Sequence, residues 1–121
     1  MIDFVATRDG CDPESAACAR LLTAVITTAI RDAVAPAPKK EGYERRDVLF
    51  KAREAIEWLF DDQSVFPLYA GLIGLDAPAI RRALVTSRAG EMDAIRPIFS
   101  TTDRNILSYR LELWRTGQAF D

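Results

Sequence analysis

The stretch Phe66–Val85, FPLYAGLIGLDAPAIRRALV, decides the fold. Leu68, Tyr69, Leu72 and Ile73 recur at helical spacing, which predicts a short helix. Gly74 ends it, because glycine takes the left-handed backbone conformation at little steric cost. Leu75 is expected to be buried in the turn that follows. Asp76 is expected to cap a second helix through its carboxylate. Pro78 suits a first turn, where backbone N–H groups lack partners. The second helix then runs on through Ile80 and Leu84, with Arg81 and Arg82 turned outward.

Position by position, this stretch resembles the helix-turn-helix of DNA-binding regulators. Ala70 is the small residue that lets two helices approach. Gly74, four positions later, makes the turn, and Leu75 fills the space beneath it. Ile80, with Ala83 or Leu84, pins the second helix to the first. The resemblance implies a motif over 64–87 whose second helix, about 76–87, enters the major groove. It implies that Asp76, Ala77, Pro78, Arg81 and Arg82 face the bases and phosphates. The groove-facing turn holds no Gln, Asn, Ser or Thr, so base reading falls to the arginines. Arg88, just beyond the helix, joins this DNA-facing set.

Around the motif, hydrophobic residues make up 49% of the 121 residues, enough for one core and one compact domain. No apolar run reaches the ~18 residues that span a bilayer. The start, MIDFVATRDG, lacks the basic and apolar blocks of a signal peptide, so a cytoplasmic location is expected. The formal net charge of −2 argues against indiscriminate coating of nucleic acid. Yet from Ala77 to Arg115 seven arginines face four acids, a local excess compatible with DNA binding.

There is no histidine, which removes Ser-His-Asp and Cys-His nucleophiles and every histidine metal site. No phosphate-binding glycine loop occurs. Glu54, Glu57, Asp61 and Asp62 bring carboxylates together of the kind that hold Mg²⁺, but solvated surface explains them better. No metal, cofactor or enzymatic role is therefore expected. Cys18 falls on an apolar helix face and is expected to be a reduced core thiol, with Cys11 in a loop.

Taken in order, residues 1–13 read as a flexible arm rich in turn formers, and 14–121 as a single all-α domain of about five helices. Cys18, Leu21, Leu22, Val25, Ile26, Ala29 and Ile30 predict a long helix over Pro13–Val34. Its apolar face is broad enough for a core and for a second subunit. APAPKKEGYER, Ala35–Arg45, reads as a linker broken by proline and glycine. Its basic residues Lys39 and Lys40, with Arg45 and Arg46, are either a solvated connection or a phosphate-contacting arm. Leu49, Ala52, Ile56, Leu59 and Phe60 predict a helix over Arg46–Phe60, packed across the back of the motif, with Trp58 at the edge of the core. Ser64 is a natural cap for the helix beginning near Val65.

Beyond Ser87 the pattern weakens. Glu91–Arg96 suggests a short helical turn before Pro97. Thr101 or Thr102 is expected to cap a last helix, with Asp103 in its first turn, ending at Gly117. Leu107, Leu111 and Trp114 form its stripe. Residues 109–113 also alternate as a strand would, which leaves open a β-hairpin wing over 98–114. The order of an Ala- and Leu-rich helix, KAREAIEWLF, an acidic turn and LIGLDAPAIRRAL is similar to small phage- or prophage-borne bacterial proteins thought of as regulators.

Two functions follow as expectations. One is a transcriptional regulator binding double-stranded DNA, as a homodimer because one short motif gives limited affinity. The other is a protein-interaction module on the same scaffold, for RNA polymerase, another regulator or a phage DNA-packaging complex.

Overall fold

The computed structural model describes residues 16–86 and 100–120. The N-terminal arm, the turn expected at Glu91–Arg96, and Arg88 lie outside these residues. The described chain is all-helical: α1 (Ala16–Ala33), α2 (Tyr43–Phe60), α3 (Phe66–Leu72), α4 (Ala77–Val85) and α5 (Thr101–Arg115). Helix, not strand, occupies Thr101–Arg115, so the wing expected there is not formed by these residues. The reason is a strong local start. The Ser100 hydroxyl accepts from the Asp103 N–H (3.2 Å), and the Asp103 carboxylate accepts from the Ser100 N–H (2.8 Å). This reciprocal capping box begins the helix one residue earlier than the threonine cap expected.

One apolar cluster joins all five helices. Ile26, Ile30 and Ala33 from α1 meet Ala52, Ala55, Ile56 and Leu59 from α2. Phe66 and Ala70 from α3, Ala77, Ile80 and Leu84 from α4, and Leu107 and Leu111 from α5 complete it. Phe66 is fully buried, its ring tilted against Trp58 at 5.2 Å, and Trp58 meets Tyr69 edge-on at 6.0 Å. Such aromatic pairs add directional stabilisation to the area they bury.

The principal helix contacts are α1 with α2 and α3, α2 with α5, and α4 with α3 and α5. The motif therefore rests on α1 beneath α3 and on α5 beneath α4. The sequence leads one to expect α2 as the leading support; α2 packs chiefly on α1 and α5, and reaches the motif through Trp58 against Phe66 and Tyr69. Tyr43, Glu44 and Arg45, expected in the linker, already belong to α2. Cys18 is buried as expected, but it is disulfide-bonded rather than a free thiol, and its partner lies outside the described residues. Apolar spacing reports burial only and says nothing of oxidation state.

The chain after α5 folds back. Gly117, at φ 73°, lets the Gly117 and Gln118 N–H groups bond the Trp114 and Leu113 carbonyls. The Gln118 carbonyl then accepts from Arg53 Nη1 (2.9 Å), and the buried Phe120 ring lies 5.2 Å below the Arg53 guanidinium. This tail closes the core between α2 and α5. Among the described residues, no helix is long and apolar enough to cross a membrane.

Candidate nucleic-acid interface

The turn between α3 and α4 is set by backbone chemistry. Gly74 sits at φ 77°. Its N–H donates to the Gly71 carbonyl (3.1 Å), and the Leu75 N–H donates to the Ala70 carbonyl (2.8 Å). These two bonds form a Schellman ending, which satisfies carbonyls that the last turn leaves open. A β-carbon at Gly74 would meet open space, so the need for glycine is conformational and not steric.

Asp76 stands at the cap position of α4 in extended conformation, but its carboxylate makes no capping bond. The expected side-chain cap is therefore absent. Asp76 and Pro78 are exposed and Ala77 is buried. Burial removes Ala77 from the DNA-facing set: its methyl group joins Ile80 and Leu84 in the core stripe. The outward stripe is Pro78, Arg82 and Val85, which share one face at helical spacing, with Thr86 beyond them exposed as well.

Arg81 does not turn outward. Its Nε donates to the Leu59 carbonyl (2.6 Å), its Nη1 to the Asp62 carboxylate (2.7 Å), and its Nη2 lies 3.5 Å from the Asp61 carbonyl. The guanidinium also lies 5.6 Å above the Phe66 ring. The physical cause is the end of α2, whose last carbonyls lack helical partners. The Asp61 N–H takes that of Glu57, the Ser64 hydroxyl takes that of Trp58, and Arg81 takes that of Leu59. Arg81 thus braces α4 against the end of α2 and is withdrawn from the groove-facing set.

The remaining expected cations fall in two places. Arg82 is exposed on α4. Lys39 and Lys40 are exposed on the connection before α2. Arg45 bends back to the Pro38 carbonyl (2.8 Å), so it shapes the connection instead of extending from it. Lys51 pairs with Asp47 one turn away (3.2 Å), and that hydrogen bond and charge raise its pKa. Among the described residues no cluster of three or more histidine, cysteine or acidic side chains could hold a metal ion.

Asp62 and Phe66 as partners of Arg81 are not foreseen from the sequence, where Asp62 reads as a solvated acid. The available signal was an acidic turn directly after a helix end, where unpaired carbonyls and a carboxylate together attract a guanidinium. Compared with protein families, characterised proteins and solved structures, the chain matches none.

Proposed function

We propose that the protein is a small DNA-binding regulator that lays the outer face of α4 into the major groove. The observation carrying this reading is the turn itself. A glycine-based helix ending delivers α4 with its apolar stripe inward, and the brace from Arg81 fixes its rotation. Pro78, Arg82, Val85 and Thr86 remain outward. Arg82 supplies the base or phosphate contact; a guanidinium reading guanine discriminates by about 1–3 kcal/mol. One such contact per subunit is little, so a two-fold dimer is required, its two α4 helices about 34 Å apart. Lys39 and Lys40 add phosphate contacts. If Arg82, Lys39 and Lys40 all engage, each subunit contributes a salt slope of about −3 in log–log form.

The test is fluorescence anisotropy against a pool of host and phage genomic fragments at two salt concentrations. Wild type binds a subset of fragments, and Arg82→Ala loses that selection while keeping its melting temperature. Wild-type binding that is undetectable, or unchanged by Arg82→Ala, sinks the proposal.

A second reading is a protein-interaction module, for which the apolar exposure on the same motif speaks. Val65, Leu68 and Val85 are exposed at 46%, 57% and 38%. Exposed apolar side chains serve a protein partner better than a phosphate backbone. Nuclease-resistant co-purification of one host protein, lost in Leu68→Ser, decides for this reading.

A further inference from the structure

A second, independent feature lies on α5. Arg110 is 94% buried, being only 6% exposed, and among the described residues no salt bridge engages it. Among the described residues its one hydrogen bond runs from Nη1 to the Ala33 carbonyl (2.9 Å), at the end of α1. A guanidinium carries five N–H donors, so the described residues take up only a small part of its hydrogen-bonding capacity. A buried charge left uncompensated is costly, and proteins ordinarily supply an anion to it.

The place for such an anion is present. Arg110 and Arg45 both line a small cavity of about 260 Å³ formed where the Pro36–Ala37 connection crosses α2 and α5. Leu49, Ile106 and Phe120 give it hydrocarbon walls, and Tyr109 completes the lining. Arg45 is itself mostly covered, and the acid it pairs with, Glu41, is an exposed side chain at 3.6 Å. Burial first, and then repulsion from Arg45, lower the pKa of Arg110, so the two like charges act on each other. Two guanidinium groups beside a pocket with hydrocarbon walls match an anionic head on a short apolar body.

We infer that this cavity is a binding site for a small organic acid, its carboxylate held between Arg45 and Arg110 and its hydrocarbon part against Leu49, Ile106 and Phe120. The volume suits a molecule of a few carbons. The site does not depend on what α4 binds, so it stands or falls separately from the function proposed above.

The experiment titrates the full chain with sodium butyrate, sodium phosphate or sodium chloride at constant ionic strength, read by amide chemical shifts. Butyrate is expected to give saturable shifts at Ala37, Ile106 and Arg110 at concentrations where chloride gives none, and to bind more tightly than phosphate. Arg45→Gln, which leaves the Arg110 bond to Ala33 in place, weakens butyrate at least tenfold. Ala37→Leu, which fills the cavity and keeps both guanidinium groups, abolishes binding with little change in melting temperature. Arg110→Gln is not the decisive variant, because it also uncaps α1. Butyrate shifts no larger than those of chloride, or butyrate binding unaltered in both variants, overturn the inference. Binding of phosphate without butyrate overturns the assignment to an organic acid.

Discussion

Replacing Arg81 with alanine tests the division of labour between two adjacent arginines. The substitution removes a charged hydrogen bond to the Leu59 carbonyl, an ion pair with Asp62, and a guanidinium above Phe66. A hydrogen bond from a charged donor contributes about 1.5–3 kcal/mol where its acceptor is left unpaired. The ion pair contributes less, about 0–1 kcal/mol, because the Asp62 side chain is 86% exposed. The contact with Phe66 adds about 0.5–1 kcal/mol. These contributions overlap, so Arg81→Ala is expected to cost about 2–4 kcal/mol, a fall of roughly 10 °C in Tm. Asp62→Ala should cost under about 1 kcal/mol. A double-mutant cycle in urea should then assign most of the Arg81 effect to the Leu59 carbonyl and little to Asp62. Arg81→Lys should recover less than half, since an ammonium cannot bond carbonyl and carboxylate at once in planar geometry. A cost below about 0.5 kcal/mol, or one no larger than that of exposed Arg82→Ala, refutes the brace.

Other substitutions test the supporting elements. Gly74→Ala meets no clash but places a β-carbon at φ 77°, and should cost about 1–2 kcal/mol by urea denaturation. Ser100→Ala removes half of the capping box and should cost about 1 kcal/mol, with faster amide exchange confined to the first turn of α5. Phe120→Ala opens the core beneath Arg53 and should cost about 3 kcal/mol; a cost near zero would mean the tail is not packed in solution.

The helices declare themselves in the sequence through local signals. Leu22, Ile26 and Ile30 recur at helical spacing, and Gly74 and Gly117 end helices in the left-handed conformation that glycine adopts at little steric cost. The helix expected over Arg46–Phe60 begins earlier because Tyr43, Glu44 and Arg45 add a turn that no apolar stripe marks. The fate of Arg81 is not a local property. It depends on a carbonyl 22 residues away left open at the end of α2, and periodicity places Arg81 on the helix surface without saying what that surface meets. Ala77 escaped for a related reason: alanine suits either face, and the rotation of α4 is fixed by Ile80, Leu84 and the brace together. Arg110 belongs to the same class, a cation inside the stripe of Leu107 and Leu111, called inward by the last carbonyl of α1.

The most direct test of the account observes the two guanidinium groups in one spectrum. In ¹⁵N-labelled protein the Arg81 Nε–H should exchange slowly with solvent and the Arg82 Nε–H rapidly. Addition of a bound DNA fragment should shift and protect Arg82 while leaving Arg81 unchanged. Rapid exchange at Arg81 in the free protein, or a DNA-induced shift at Arg81 and none at Arg82, contradicts the account.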